Sequence, residues 1–262
     1  MTDIQTGARL LTEARLKHQR IAELPEAIRP KTPEEAYACQ DAVVARLLEH
    51  YGGRVIGYKI ACTNKIAQEL LRVDRPFHGK LLSSFCFDSP SRVKADSFFM
   101  RVIEAEFAFL MARDLAPCPQ PFSRDEVSAA VEGVLPGIEI VDSRFHEWTS
   151  AGIESLLADN DCHGAWVRGA LAPNWRAIDL AEQEVRLSAN GKVVQTGSGA
   201  AVLGHPLNAL HWLANTLREQ GETLKAGQYV TTGVTTDIYM AHQGDQILAD
   251  FGQTGTVELT FE

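Results

Sequence analysis

Three glutamates in this chain stand where a β-strand has no structural use for them. The segment Arg101-Val102-Ile103-Glu104-Ala105-Glu106-Phe107-Ala108-Phe109-Leu110 has the apolar content and flanks of a strand. A strand's period of two puts Glu104 and Glu106 on one face and Ala105, Phe107 and Phe109 on the other. Like charges on neighbouring same-face positions repel, and an apolar strand gives them little solvent relief unless a cation lies between them. Glu139 repeats the pattern inside Gly137-Ile138-Glu139-Ile140-Val141. Two explanations fit this spacing. In one, the glutamates face water from a half-exposed sheet. In the other they converge on a hard divalent cation, because carboxylate oxygens suit Mg²⁺ or Mn²⁺ better than the nitrogen and sulfur ligands that zinc prefers. Octahedral Mg²⁺ held by three monodentate carboxylates keeps its remaining positions for water or a chelating substrate.

Positioning such a cluster takes a framework, and the sequence outlines one. Spaced apolar residues among helix formers predict an amphipathic helix from Ile4 to about Lys17. Thr32-Pro33-Glu34-Glu35 combines an N-cap, a first-turn proline and a capping glutamate, and starts a second helix that Gly52-Gly53 ends. From Val55 the pattern changes to short β-prone runs, beginning with Val55–Ile60, with a helix from Lys65 to Leu71 between runs. Ser123-Arg124-Asp125-Glu126 is a capping box ahead of an apolar strand from Val134 to Val141. Glu184 to Val194 reads as a hairpin turning at Asn190-Gly191. A helix from Pro206 to Gln220 and short strands at Tyr229–Val234, Ile247–Phe251 and Gly255–Phe261 complete the chain. These elements predict one α+β unit over 1–262, β-rich, with residues 1–53 as a helical N-terminal region and further helices at the periphery.

Composition narrows the function. A net charge of −9 over 262 residues is unsuited to neutralising phosphates, which tells against nucleic-acid binding. The five cysteines, Cys39, Cys62, Cys86, Cys118 and Cys162, form no C-x-x-C pair and fit a reducing compartment. The charged N-terminus is not a signal peptide and no stretch has membrane-spanning length, so the expected location is the cytoplasm. Gly197-Ser198-Gly199 completes neither G-x-S-x-G nor G-x-G-x-x-G, against a serine hydrolase or a dinucleotide enzyme.

Glu104-x-Glu106 followed by Glu139 resembles the metal triad of the fumarylacetoacetate hydrolase superfamily, in particular its 2-oxopent-4-enoate hydratase and 4-oxalocrotonate decarboxylase branch. Gly57-Tyr58-Lys59-Ile60-Ala61-Cys62-Thr63 resembles that branch's G-x-K-I-(G/A)-x-T segment, and Gly197 to Ala209 its GxxxxVLGxPxxA stretch. Ala158-Asp159-Asn160 and Thr231-Thr232-Gly233 fall in the expected order. The resemblance implies a rolled mixed sheet with an α-helical N-terminal region. It implies Glu104, Glu106 and Glu139 as ligands of Mg²⁺ or Mn²⁺, and Lys59 as the group that reaches the substrate's carboxylate or enol oxygen and transfers a proton. His78 and His163 lie in matching segments and are candidates for touching substrate, since imidazole titrates near neutrality, against the competing reading of structural histidines. Asp159 and Asn160 are candidates to support the site, against the reading of a plain loop. His205 before Pro206 is expected to enter a helix. Two departures stand out. Asp161-Cys162-His163 follow Ala158-Asp159-Asn160 where the hydratases have small residues such as Ala-Ser-Ser, and the segment Pro76 to Leu81 lacks an acidic residue often found just beyond it.

The activity implied is hydration of 2-hydroxypenta-2,4-dienoate or a close relative, as in the breakdown of aromatic rings. A 4-oxalocrotonate-type decarboxylase, an acylpyruvate C–C hydrolase and a non-catalytic partner subunit are the alternatives. The resemblance also implies a homo-oligomer, with association with a related decarboxylase as a further expectation.

Overall fold

The computed structural model describes residues 2–262. In chain order its helices are α1 (Ile4–Leu16), α2 (Pro33–Tyr51), α3 (Lys65–Leu71), α4 (Arg124–Ala129), α5 (Ile153–Ala158) and α6 (Pro206–Glu219). Its strands are β1 (Val55–Ala61), β2 (Phe77–Leu82), β3 (Cys86–Asp88), β4 (Ser91–Val93), β5 (Val102–Met111), β6 (Val131–Val141), β7 (His163–Arg168), β8 (Glu184–Ala189), β9 (Lys192–Ser198), β10 (Tyr229–Val234), β11 (Tyr239–Met240), β12 (Gln246–Asp250) and β13 (Thr256–Phe261). The helices start where the sequence supplies caps. Thr32 accepts the Glu35 N–H ahead of Pro33, Ser123 and Glu126 close a full capping box, and the His205 ring accepts the Leu207 N–H at the head of α6.

The strands form two sheets. The larger, eight-stranded and mixed, runs β2-β1-β10-β5-β6-β7-β3 with β11 added beside β5. The smaller runs β4-β13-β12-β8-β9, its β8–β9 hairpin turning through Asn190 and Gly191, both at positive φ as a two-residue hairpin turn requires. Alternation along β5 and β6 divides the larger sheet into two unlike faces. Ala105, Phe107, Phe109, Ile138 and Ile140 point into the main core, against Leu187, Ala249, Val257 and Leu259 of the smaller sheet and Leu210 and Leu213 of α6. On the other face, Val102 and Val141 meet a second apolar cluster built on Leu11 of α1 and Val43, Val44 and Leu47 of α2, while Ala108, Leu135 and Trp166 form a third. The glutamates lie between these two clusters, on a face that is covered and not turned to water. Thus the half-exposed sheet offered by the spacing of Glu104 and Glu106 is not what forms.

Besides the short strands β3, β4 and β11, two elements escaped the sequence pattern. β7 is buried on both faces over His163–Val167, which erases the polar–apolar alternation that marks a strand. α5 begins at Gly152 without a side-chain cap and so carries no start signal.

Candidate metal centre and active site

β5 and β6 are hydrogen-bonded neighbours in antiparallel register, with Glu104 opposite Glu139 and Glu106 opposite Gly137. Directly opposed residues of such a pair share a face, so the three carboxylates converge, and one oxygen from each lies within 4.8 Å of the others. Glu106 and Glu139 are wholly buried and Glu104 is half-buried. Burial first, and then the charge of a neighbouring carboxylate, pushes Glu104 and Glu106 up to about 8; burial likewise raises Glu139 to about 8 against the pull of Lys59. Without a counter-charge the cluster could not stay ionised at neutral pH.

The donor set fits a hard divalent cation on three counts. It is all carboxylate oxygen. Glu106 Oε1 is buried with no hydrogen-bond partner and Glu139 Oε2 is buried with only the Lys59 ammonium at 3.4 Å, and such atoms are costly unless something not yet counted satisfies them. Their sister oxygens are already fixed: Glu106 Oε2 accepts the Gly233 N–H at 3.0 Å and Glu139 Oε1 faces His163 Nδ1 at 3.1 Å. The Gly233 contact depends on glycine, because φ is +93° and a Cβ would lie 2.1 Å from Thr63 Oγ1.

Lys59 extends from β1, which is not an edge strand but lies between β2 and β10. Its ammonium, 2% exposed, sits 3.4 Å from Glu139 Oε2 and 3.6 Å from Asp161 Oδ2, and donates to the Asp161 carbonyl at 3.0 Å. Burial is the largest single influence and would lower its pKa. Asp161, Glu139, Glu104 and Glu106 together outweigh it, and Lys59 stays well above its ordinary value. It is therefore a protonated donor at rest. His163 is driven the other way, by burial first and then by Arg15, Lys59 and Arg144, and is neutral. Its Nδ1 lies 3.1 Å from Glu139 Oε1, the arrangement by which an outer residue orients a carboxylate that could hold a metal.

Three other residues singled out in the sequence are not brought to the cluster. His78 lies opposite Ile60 in the β1–β2 ladder, hence on the face away from Lys59, stacked on Tyr37 at 4.4 Å, and burial pushes it down to about 4. Asp159 is spent on Arg144: its carboxylate accepts the Arg144 Nε–H at 2.7 Å and the backbone N–H at 3.0 Å, with both residues buried. The Asn160 amide brackets the Lys80 backbone, accepting its N–H at 2.8 Å and donating to its carbonyl at 2.9 Å. Their geometry supports the turn and not a ligand. The residue that the sequence reading passed over is Asp161. Asn160, Asp161 and Cys162 all adopt left-handed backbone (φ 51°, 51° and 56°), which costs roughly 1–2 kcal/mol at each non-glycine residue. Such strain collects at functional sites, and here it aims the Asp161 carboxylate at Lys59. The signal was the aspartate standing where a small residue was expected.

Lys59, Glu104 and Asp161 open onto a cavity of ≈ 720 Å³. The family model for the C-terminal part of fumarylacetoacetate (FAA) hydrolase matches residues 65–262. The chain belongs to the fumarylacetoacetate hydrolase family. Within this family it is 33% identical to a 2-keto-4-pentenoate hydratase of Paraburkholderia xenovorans (strain LB400), over 98% of this chain and 94% of the relative. It is 35% identical to a 2-hydroxyhexa-2,4-dienoate hydratase of Comamonas testosteroni, over 98% and 97%. Among solved structures, the 4-oxalocrotonate decarboxylase of Pseudomonas putida G7 complexed with magnesium and adipate superposes with a TM-score of 0.90, at 29% identity, covering 99% of this chain and 97% of that one. The rolled mixed sheet and helical N-terminal region expected from the sequence are the fold of this family member.

Proposed function

We propose that the chain, acting as one catalytic unit, is a divalent-metal-dependent lyase that hydrates 2-hydroxypenta-2,4-dienoate or a close relative to a 4-hydroxy-2-oxo acid. The observation that carries this reading is the convergence of Glu104, Glu106 and Glu139 on one point, beside a buried Lys59, at the floor of an open cavity. Hydratase relatives over nearly the whole chain support the substrate class, and a magnesium-bound structural relative supports Mg²⁺.

In this reading Glu104, Glu106 and Glu139 hold the cation, Gly233 N–H and His163 fixing the outer oxygens of the two buried ligands. The ion, when bound, supplies Lewis acidity toward an oxygen on which negative charge develops. Lys59 Nζ, protonated and held between Glu139 and Asp161, binds the substrate carboxylate or enol oxygen and gives up or takes back a proton there. Burial of Lys59, Glu106 and Glu139 keeps these charges largely out of bulk water, so their interactions are stronger than they would be in solution. The five free cysteines fit a cytoplasmic enzyme, among the described residues no helix is long and apolar enough to cross a membrane, and we take the working form to be a homo-oligomer.

Purified protein with Mg²⁺ should consume the ultraviolet absorbance of 2-hydroxypenta-2,4-dienoate or its 5-methyl homologue and release the 4-hydroxy-2-oxo acid. EDTA should stop the reaction, and Glu106→Gln should abolish it with the circular dichroism spectrum intact. Retained turnover in that variant would refute the triad. The whole-chain likeness to a 4-oxalocrotonate decarboxylase supports a second reading, in which the same protein releases CO₂ from a 2-oxo-enedioate; product analysis separates the two.

A further inference from the structure

The cavity is much larger than the acid it is proposed to receive. A five-carbon hydroxydienoate has eight non-hydrogen atoms, and at roughly the 30 Å³ that a water takes in the liquid these fill about 240 Å³, against ≈ 720 Å³ available. The remaining space has a distinct character. Away from the carboxylates it is walled by Ile66, Leu70 and Leu71 of α3, by Trp148 and Leu156, and by Ile238 beyond β10. Ile66, Leu70 and Ile238 are 69%, 47% and 37% exposed, large apolar side chains left in water at the rim of one cavity. Isolated exposed apolar residues need no explanation, but a group of them around the mouth of a pocket marks a surface that something covers.

Charge decides what kind of ligand end can lie there. Besides Lys59, the cationic residue among the described lining is Lys65, exposed on α3; Asp161 is committed to Lys59, and Asp237 and Glu184, the latter ion-paired with Arg186, are the other acidic residues of the lining besides Glu104. A carboxylate placed at the far end of a substrate would lose water, meet like charges and find no arginine to pair with, which is unfavourable. An alkyl or aryl group would bury its own surface and that of the rim.

We infer that this enzyme is built for 2-hydroxydienoates bearing a single carboxylate and an apolar substituent at the far end, longer than the five-carbon acid, and that it selects against dicarboxylates. This rests on the reading of the carboxylate cluster as the place where the 2-oxo acid end is held.

Binding can be tested apart from turnover. Calorimetry with Mg²⁺ and saturated 2-oxobutanoate, 2-oxohexanoate, 2-oxooctanoate and 2-oxooctanedioate should show affinity rising about fourfold per added methylene. Thus 2-oxooctanoate should bind roughly 15-fold tighter than 2-oxohexanoate, with the dicarboxylate weaker than either. Leu70→Lys, on the exposed rim and not one of the metal-holding or proton-transfer groups, should lose the gain from chain length and strengthen the dicarboxylate at least tenfold. Equal affinity along the series, or a dicarboxylate that outbinds 2-oxooctanoate in the unaltered protein, would overturn the inference. Ranked binding without turnover of any dienoate would refute the hydratase reading and leave this one standing, and turnover with a flat binding series would do the reverse. Binding of no member would refute this inference, with turnover of the dienoate still deciding the hydratase reading.

Discussion

Raising the pH of the metal-free protein from 6.5 to 8 should destabilise it, and Mg²⁺ should cancel the effect. Glu106 and Glu139 are wholly buried and raised by burial from 4.5 to about 8. An acid whose folded pKa lies above its unfolded one contributes its stability in full below the unfolded value and loses it as the pH climbs toward the folded one, at roughly 1 kcal/mol per pH unit for each proton. The lower bound of the window is set by histidine. His78 and His163 are depressed by burial and act with the opposite sign, but only below their unfolded value of 6.5. The buried cysteines, pushed up to about 12 or beyond, and Lys59, well above 10.5, act above the window. Over 1.5 pH units the two glutamates therefore cost about 3 kcal/mol, which in a domain of this size lowers the melting temperature by about 6–12 °C. Differential scanning fluorimetry in EDTA and in Mg²⁺ across this range reads both slopes. Ligand deprotonation strengthens metal binding, so with Mg²⁺ the curve should be level or rise. A melting temperature in EDTA that stays level from pH 6.5 to 8, or that Mg²⁺ does not raise at pH 8, would refute the argument that the buried carboxylates of this cluster await a cation.

Further outcomes follow from the same geometry. Lys59→Met should lower kcat by about 10²–10⁴-fold while Mg²⁺ still raises the melting temperature, since no carboxylate is removed. His163→Ala frees Glu139 Oε1 from its partner and should raise the Mg²⁺ concentration for half-maximal thermal stabilisation by about 10–100-fold. Asp159→Asn leaves the buried Arg144 guanidinium with only the more distant carboxylate of Asp142, at 3.7 Å, and should destabilise the fold by up to roughly 3 kcal/mol in denaturant titration, with KM unchanged in the folded fraction.

The carboxylate cluster was legible because it breaks a rule. Like charges repeat on one face of an otherwise apolar strand, and Glu104, Glu106 and Glu139 could be marked as candidates without any structure. Lys59 was legible through its motif, although only the fold shows that its strand is central and its ammonium buried. What could not be read was pairing across sequence distance. Asp159 looked like a polar group near the site because nothing in the chain indicates that Arg144 folds back onto it. His78 was misplaced because facing within a strand follows from register, and one position separates the side of Lys59 from the side of Tyr37. His163 reaches the cluster, with an orientation toward Glu139 that depends on β7, a strand hidden by its own burial.

The pairing of Glu104 with Glu139 bears on how the sheet finds its alignment. A two-residue slip of β5 against β6 would keep every apolar side chain on its own face, so hydrophobic patterning discriminates poorly between the correct ladder and its nearest competitor. A slip in one direction would set Glu139 opposite Val102 and dissolve the cluster, while a slip in the other would set it opposite Glu106 and keep the carboxylates together. A cation bound by all three carboxylates would therefore penalise the slip in one direction only, and a metal-starved chain is the one expected to lose that bias and expose more misaligned, aggregation-prone sheet.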